Sequence, residues 1–391
     1  MLTEEQISFI SSHANEDIKS VALQYRRDDM PLLLRQIAGL QTAKRKLPKW
    51  YEFPQIMYPI QLSLEQASSE ITAQYKTSLL PTNRTLLVDL TGGLGVDFSF
   101  LAPHFERAIY VEQNEELCRL ATNNMPILGL SNATIVQASA EQFLKTMPAA
   151  DLVYIDPARR NHSGQKVFKI EDCSPNLEKI LPELQTKTQQ IVVKYSPMLD
   201  VSLALQNLKQ VSEIHIVSVD NDCKELLFVL TNRKQPPTIH TVNFRNNNAN
   251  QYFSFEWTDE PKAQAAHATT MLRYLYEPNA SILKSGGFVT VGQRFGIYKL
   301  HPNTHLYTSD SLDKNFPGRI FEIKECRTHN KSNLKELTRL YPKANISIRN
   351  FPMTVAEIRK KTKIKEGGEL YIFATTIANN TKIWLIGQKI N

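Results

Sequence analysis

The residues that could carry out chemistry first appear in the stretch LLVDLTGGLGVD, Leu86–Asp97. The stretch starts as a short apolar run ending in Asp89, and such a run predicts a buried strand of a parallel sheet. Glycines then let the backbone turn tightly and approach a ligand. A helix-like segment, Val96–Ala102, follows the turn, so the three parts together predict a nucleotide-binding cradle. The residues of the turn are Thr91, Gly92, Gly93, Leu94 and Gly95.

The spacing of the glycines restricts the kind of nucleotide. A dinucleotide fingerprint needs G-x-G-x-x-G, but the third glycine position counted from Gly93 and Gly95 is Phe98. This departure argues against NAD and FAD. No Gly-Lys-Ser or Gly-Lys-Thr follows the turn, so it is not a P-loop either.

A second acidic residue lies at the spacing that a ribose requires. Ala108–Glu112 is predicted to be the second strand, and Glu112 stands 23 positions after Asp89. A carboxylate at that strand end can accept hydrogen bonds from both ribose hydroxyls of an adenosine. The glycine turn and the spaced acid together favour an adenosine-bearing ligand.

The acidic strand end with its short glycine turn resembles motif I of the class I S-adenosylmethionine-dependent methyltransferases. Downstream, the stretch NNMPILGLSNATIVQASAEQFL resembles the same region of RNA methyltransferases of this class. The resemblance implies S-adenosylmethionine as cofactor. Many relatives bond the adenine amino group through an aspartate where this chain has Ser139, so that contact is expected to be weaker or to come from backbone groups. The residues expected to hold the donor are Asp89, Thr91, Gly92, Gly93, Gly95, Glu112 and Ser139.

A second chemical motif, Asp156-Pro157-Ala158-Arg159, follows the predicted fourth strand. In the resembling family the tip of this strand faces the methyl group, and a D/N-P-P-x motif there grips the target nitrogen. The carboxylate and neighbouring carbonyls accept hydrogen bonds from an amino group and hold its lone pair in line for transfer. Asp156 and Pro157 would position the acceptor, and Arg159 could stack on a base or clamp a phosphate. The alternative is an Asp-Pro pair that simply ends a strand in a turn.

The chemistry of methyl transfer restricts which kind of atom can accept the methyl group. Transfer from a sulfonium needs little acid–base help, because the donor is already activated and alignment carries the rate. Methylation of a pyrimidine carbon would need a cysteine nucleophile. No cysteine occurs within Asp156–Arg160, and Cys173 lies some distance beyond, which favours a nitrogen or oxygen acceptor. His162 could act as a base or be a surface-loop histidine, and Lys194 or Tyr195 could line the acceptor side.

The order of the predicted helices and strands defines three regions. The first is helical, and one of its helices is expected to start at Ser63 and run to Pro81. From Leu86 strands and helices alternate, which is typical of a parallel α/β sheet, and a final antiparallel hairpin is the usual closure of the methyltransferase fold. We expect a helical N-terminal region at 1–80, a Rossmann-like class I methyltransferase domain at 81–232 and an α+β domain at 240–391.

The C-terminal region carries a resemblance of its own. The stretches YLYEPNASILKSGG, Tyr274–Gly287, and KIKEGGELYIFATT resemble the THUMP-like domain attached to a family of class I methyltransferases. True THUMP domains hold RNA, so the resemblance implies RNA as a partner. Within the same stretch a strand is expected near Ala280–Leu283.

The net charge of +7 is unevenly distributed along the chain. Residues 241–391 hold 22 of the 46 Lys and Arg but only 12 of the 39 Asp and Glu. This excess is typical of a module that binds a polyanion and equally of a solvated surface. The basic cluster in Arg359–Gly368 could contact phosphates or merely solubilise a helix end, where cations also favour the helix dipole. In Lys44–Pro54 the interleaved aromatics could stack on bases or pack back on the core.

Composition argues against several classes of protein. No run of about 18 apolar residues is present, so no membrane span is expected. The acidic N-terminus MLTEEQISFISS differs from a signal peptide, and we expect a cytoplasmic protein. The four cysteines lie far apart with no C-x-x-C, so neither a disulfide framework nor a metal site is expected.

The sequence favours a methyltransferase that uses S-adenosylmethionine to modify a nitrogen of a base in RNA. Two alternatives stay open. One is a methyltransferase of a small molecule or protein, whose activity would survive high salt. The other is a catalytically inactive nucleic-acid-binding protein with a methyltransferase fold, which the altered tip motif and Ser139 would support.

Overall fold

The computed structural model describes residues 1–59, 61–159, 173–232, 235–246 and 248–390. They form two compact units. The first unit is Met1–Ser212 with Leu226–Gln235, and the second is Glu213–Glu225 with Pro236–Asn391. No helix of these ranges is both long and apolar enough to cross a membrane. Arg160 and His162 lie outside the described residues.

The first unit begins with helices that pack around an apolar core. Thr3 starts the first helix through a capping box with Gln6. Leu33, Ile37 and Trp50 are buried in the core that the helices share. The helices are α1 (Glu4–Ser12), α2 (Ile18–Gln24), α3 (Met30–Lys46), α4 (Pro48–Tyr51), α5 (Gln61–Gln66) and α6 (Glu70–Lys76).

The helix expected from Ser63 to Pro81 was wrong, because the chain forms two helices there. α5 ends at Gln66, and Ser69 takes the extended backbone angles of an N-cap residue before α6. Serine side chains compete for backbone hydrogen bonds, which disfavours an unbroken helix at this point.

A mostly parallel sheet forms the centre of the first unit. The first nine strands of the chain are β1 (Leu86–Asp89), β2 (Arg107–Glu112), β3 (Ala133–Gln137), β4 (Leu152–Ile155), β5 (Ala158–Arg159), β6 (Cys173–Ser174), β7 (Gln190–Tyr195), β8 (Val211–Val219) and β9 (Asp222–Thr231). Of these, β5 and β6 form a separate two-stranded sheet, and residues 213–219 of β8 belong to the second unit. Within the first unit the order is β9-β7-β4-β1-β2-β3, and β1 runs parallel to both β2 and β4. All residues of β1 and β4 are buried, as their continuous apolar runs predict.

The predicted closing hairpin is confirmed. β9 runs antiparallel to β7, and β8 leads into β9 through Asp220 and Asn221, which both have positive φ. Asparagine and aspartate tolerate this left-handed conformation better than most residues. The helices between the strands are α7 (Val96–Leu101), α8 (Glu115–Ile127), α9 (Ala140–Leu144), α10 (Leu177–Lys187) and α11 (Val201–Asn207).

The second unit is α+β, as predicted. The remaining strands are β10 (Thr238–Phe244), β11 (Gln251–Glu256), β12 (Tyr274–Pro278), β13 (Tyr298–His301), β14 (Thr304–Ser309), β15 (Gly318–Thr328), β16 (Asn345–Arg349), β17 (Leu370–Thr376) and β18 (Lys382–Lys389). β10 lies between β8 and β11, and seven strands form a sheet in the order β13-β14-β12-β15-β18-β17-β16. The helices are α12 (Ala280–Ser285), α13 (Phe288–Arg294), α14 (Lys331–Leu340) and α15 (Val355–Thr362).

The strand expected near Ala280–Leu283 was wrong, because this segment belongs to helix α12. The Asn279 side-chain oxygen accepts hydrogen bonds from the Ile282 amide at 3.1 Å and from the Ser281 hydroxyl at 2.7 Å. The helix ends at Gly286, whose left-handed backbone closes it. The cap residues at both ends outweigh the apolar run between them.

Candidate active site

The turn after β1 is shaped by glycines with two different tasks. A Cβ on Gly92 would lie 2.1 Å from the Tyr110 ring, and a Cβ on Gly95 would lie 2.3 Å from a methionine methyl group. Gly93 has a φ of +56°, and a Cβ there would meet nothing nearer than a backbone carbonyl at 3.6 Å. Gly92 and Gly95 let the turn pack against its neighbours, while the backbone at Gly93 stays open to a ligand.

Glu112, at the end of β2, lies directly beside this turn. Its Oε2 accepts a hydrogen bond from the Gly93 amide at 2.9 Å, and its Oε1 accepts one from the Asn114 amide at 2.8 Å. The Tyr110 hydroxyl donates to the Gly93 carbonyl. The fold therefore brings the glycine turn and the predicted ribose acid together, with one backbone donor on each carboxylate oxygen.

Asp89 lies beneath the turn and is 1% exposed. Its Oδ1 accepts hydrogen bonds from the Thr91 amide at 2.9 Å and from the Thr91 hydroxyl at 3.4 Å. Burial raises the pKa of Asp89 to about 8, since the Thr91 amide only partly offsets desolvation and the carboxylates of Asp97, Asp156 and Glu112 repel a further negative charge. Asp89 is therefore largely protonated at neutral pH.

Asp156 stands at the carboxyl end of β4, where the sequence placed it. Its amide donates to the Thr91 hydroxyl at 2.6 Å, which ties the strand tip to the glycine turn. Its carboxylate is 40% exposed, and Oδ2 lies 2.5 Å from the Lys194 Nζ atom. Pro157 is buried, and the backbone of Arg159 in β5 pairs with Cys173 in β6. An exposed carboxylate with its backbone fixed is suited to hold a hydrogen-bond donor.

Behind Asp156 lies a buried charged cluster that centres on Asp97. Lys76 Nζ is 3.1 Å from its Oδ1 and Lys194 Nζ is 3.2 Å from its Oδ2, and Oδ2 also accepts hydrogen bonds from the Ser68 and Tyr154 hydroxyls. Burial alone would raise the pKa of Asp97, but the two lysines and these hydrogen bonds outweigh it and hold the pKa below its ordinary value. Lys194 therefore bridges the buried carboxylate of Asp97 and the exposed carboxylate of Asp156 at the strand tip.

Comparison with known proteins identifies the family and the fold. Residues 274–317 match a family described as a ferredoxin-like domain, and residues 318–389 match a family described as THUMP domain-like. An uncharacterized S-adenosylmethionine-dependent methyltransferase of Mycobacterium tuberculosis H37Rv is 20% identical over 317 residues, which are 81% of this chain and 83% of that protein. The crystal structure of a candidate methyltransferase from Porphyromonas gingivalis W83 aligns over 100% of both chains, with a TM-score of 0.90 and 33% identity.

The chain belongs to this methyltransferase family. It is an S-adenosylmethionine-dependent methyltransferase with a C-terminal THUMP-like domain. The bound cofactor supplies a methyl group on a positively charged sulfur. The open backbone at Gly93 and the Glu112 carboxylate beside it fit a ligand of this kind, because they leave room for it and offer acceptors for ribose hydroxyls. Asp89 and Thr91 support the same turn from below.

Ser139 of the methyltransferase caps a helix, which the sequence analysis did not foresee. Its hydroxyl accepts a hydrogen bond from the Gln142 amide at 3.2 Å, and its own amide donates to the Gln142 side chain at 3.1 Å. This capping box starts α9 just after β3, whose residue Gln137 pairs with Glu112. The predicted role of Ser139 at the adenine therefore has to be shared with helix capping.

Lys76 is a member of the buried charged cluster that the sequence did not reveal. It occupies the buried face of α6 together with Thr72 and Ala73, and it is 1% exposed. A lysine among small residues on the inward face of a helix is the signal that could have revealed it, because such a charge is retained inside only with a partner. Its partner Asp97 follows the glycine turn, so the helix before β1 contributes to the active site.

The segment Lys44–Pro54 follows the packing alternative rather than base stacking. Trp50 is 1% exposed, and its indole nitrogen donates to the Ser99 hydroxyl at 3.2 Å. Lys44 donates to the Asn15 side chain at 2.9 Å, and Lys46 donates to backbone carbonyls of α5. These side chains hold the N-terminal helices of the methyltransferase together.

One group of titratable side chains in the second unit has the donor types of a metal site. Glu213 and His215 in β8 and His240 in β10 bring their ligand atoms within 4.8 Å of one another, because the register pairs the two histidines. Burial and then His215 lower the pKa of His240, so its imidazole stays neutral. Neutral imidazole and carboxylate are ligands that Zn²⁺ takes. The expectation of no metal site rested on the scattered cysteines and overlooked this set.

Proposed function

We propose that the methyltransferase transfers its methyl group to a nitrogen of a base in RNA. The observation that carries this proposal is the Asp156 carboxylate, which is exposed at the strand tip while Thr91 fixes its backbone and Lys194 fixes its side chain. A carboxylate held in this way can accept a hydrogen bond from an amino group and keep its lone pair directed at the donor methyl. Rigid support limits the loss of alignment that slows transfer.

RNA as the acceptor is supported by charge and by the C-terminal family match. Residues 241–391 hold 22 Lys and Arg against 12 Asp and Glu, and residues 318–389 match the THUMP domain-like family. A basic surface binds phosphates regardless of base sequence, with an affinity that falls as salt rises. High salt should therefore suppress transfer to RNA, whereas transfer to a neutral small molecule would be retained.

The choice of nitrogen over carbon depends on Cys173. Its distance along the chain from Asp156–Arg160 is the wrong reason to exclude it, because β5 and β6 pair it with Arg159. Cys173 is only 7% exposed. A cysteine that attacks a pyrimidine ring must be accessible and ionised. Burial of Cys173 therefore favours a nitrogen acceptor in place of the argument from distance.

The test is transfer of radiolabelled methyl groups to cellular RNA, followed by mass spectrometry of the nucleosides. We expect an N-methylated base, a loss of turnover on the order of 100-fold in Asp156→Ala, and unchanged affinity for S-adenosylmethionine. Asp222→Ala, which removes an exposed carboxylate, is the matched control. Cys173→Ser should keep its activity. A C-methylated pyrimidine together with an inactive Cys173→Ser variant would refute the nitrogen assignment.

A further inference from the structure

A polar cleft of about 380 Å³ lies within the second unit. It forms where the β8–β9 turn, the β10–β11 connection and the ends of β15 and β18 meet. Three cationic side chains and a single acidic one line it, so its potential is positive. Its lining includes Asn243, Arg245, Gln251, Asn279, Arg319 and Lys389.

Carboxylates neutralise only part of the positive charge of the cleft. Arg319 pairs with Glu277 at 2.5 Å, but the same buried carboxylate also pairs with Arg349 at 2.6 Å. Across the described ranges, neither Arg245 nor Lys389 has a carboxylate within ion-pair distance of its side chain. Burial, and then repulsion from Arg245 and Arg319, lowers the pKa of Lys389. Converging cations of this kind are stabilised when an anion binds between them.

Opposite these cations the cleft has a wall of fixed amides. The Gln251 side-chain oxygen accepts hydrogen bonds from Asn243 at 3.1 Å and Asn279 at 3.2 Å, and its nitrogen donates to the Gly318 carbonyl at 2.8 Å. The Asn221 amide donates to the Asn243 side-chain oxygen at 2.8 Å. These mutual bonds hold the amide planes in place. The Asn243 and Asn279 side chains are buried, and the oxygens of Gln251 and Asn279 each accept two hydrogen bonds, so these amides hold the shape of the cleft.

The basic run that the sequence singled out is a weaker candidate for phosphate contact. The Arg359 guanidinium donates to the Ile364 carbonyl at 2.9 Å and to the Ala344 carbonyl at 3.4 Å, so it serves to close the end of α15. Lys360 and Lys361 are exposed on the same helix. They offer a matched pair of charges outside the cleft.

We propose that the cleft binds one nucleotide unit of the substrate RNA, with its phosphate between Arg245 and Lys389. This inference rests on the proposed function for the identity of the RNA. It gives the RNA a second contact with the protein that is independent of Asp156. A phosphate placed between these two cations would relieve their repulsion. A cleft of this size accepts one nucleotide rather than a duplex.

The test compares two double variants of the full chain that lose the same charge. Binding of a fluorescein-labelled single-stranded RNA of about 16 nucleotides is measured by polarisation at several salt concentrations. In Arg245→Gln with Lys389→Gln we expect at least about tenfold weaker binding and a salt slope smaller by about 0.7, the value for one lost phosphate contact on a single strand. In Lys360→Gln with Lys361→Gln we expect less than about a twofold change. Unchanged circular dichroism and affinity for S-adenosylmethionine establish that both variants are folded.

The outcomes separate this inference from the proposed function. If both variants weaken RNA binding equally, or neither does, the cleft is not the RNA site, even where methyl transfer to RNA occurs. If binding depends on the cleft but no RNA becomes methylated, the cleft assignment stands and the proposed function fails. If adenosine or uridine monophosphate binds the cleft tightly and RNA does not compete, a free nucleotide is the ligand and the RNA assignment is overturned.

Discussion

The buried Asp89 carboxyl links cofactor binding to pH. Its pKa of about 8 means that the ligand-free chain holds a proton there at neutral pH. The predicted role of Asp89 is to help hold a positively charged donor, which favours the ionised form, so the proton must leave on binding. Affinity for S-adenosylmethionine should therefore rise with pH, by as much as tenfold per unit between about pH 5.5 and about pH 7.

Calorimetric titration across this range checks the prediction, with Asp89→Asn as the comparison. The asparagine keeps the shape but cannot ionise, so its affinity should be weak and independent of pH. The wild-type chain should also release a proton, seen as a binding enthalpy that changes with the ionisation enthalpy of the buffer. Identical pH profiles for the two chains would show that Asp89 does not carry the charge.

Lys194 and Lys76 contact the same carboxylate but should have different effects when removed. Lys194 also contacts Asp156, so Lys194→Met frees the acceptor-side carboxylate and should lower kcat by roughly tenfold or more, with cofactor affinity little changed. Lys76 is buried and pairs with the other oxygen of Asp97, so Lys76→Met should lower the free energy of unfolding by about 3 kcal/mol. Steady-state kinetics and urea unfolding of both variants would distinguish them; a kcat loss confined to Lys76→Met would reverse the assignment.

The residues foreseen from the sequence are those that a local pattern fixes. The glycines after β1 need their conformations for the turn itself, and Glu112 follows at the spacing of one strand–helix–strand unit. The cluster of Lys76, Asp97 and Lys194 was not foreseen, because it joins three separate segments and no single window contains its pattern. Its charges are stable inside only because the tertiary fold pairs them.

Ser139 has a capping task and a predicted binding task, and two substitutions separate them. Ser139→Ala removes the cap of α9 and should lower the free energy of unfolding by about 1 kcal/mol. Ser139→Asp retains a good N-cap and restores the carboxylate that many relatives place near the adenine, so it should keep stability and bind S-adenosylmethionine several-fold more tightly. Calorimetry and urea unfolding measure both effects. Equal cofactor affinity in the two variants would leave Ser139 with a capping role alone.

The strands and helices were foreseen where their ends carried clear signals. Strand β1 matches the expected apolar run ending in Asp89, and strand β2 matches the expected strand Ala108–Glu112, since apolar runs ending in an acidic residue mark both. At α12 the apolar run suggested a strand, and only the cap at Asn279 and the glycine after it indicate the helix. The pairing of β5 with β6 could not be foreseen, because two-residue strands leave no periodic pattern to read.

The two units differ in net charge. The stability of the chain in acid should depend on the second unit. His305 stacks on Phe288 with ring centroids 3.6 Å apart. Burial, followed by the charges of Lys299 and Arg349, lowers the pKa of His305 to about 4. Between this value and the ordinary 6.5, the unfolded chain binds a proton that the folded chain does not. The stability therefore falls as the pH drops through this window.

The loss assigned to His305 should be roughly 2 kcal/mol of unfolding free energy by about pH 4, with allowance for the solvent that reaches the ring. His305→Phe preserves the stacked ring but cannot take up a proton, so its stability should decline less over the same window. Urea unfolding of the wild-type chain, His305→Phe and the exposed control His104→Gln at several pH values measures the difference. The control should parallel the wild-type curve. If His305→Phe also parallels it, the acid sensitivity arises from other groups, and the neutral histidine stacked on Phe288 contributes nothing to it.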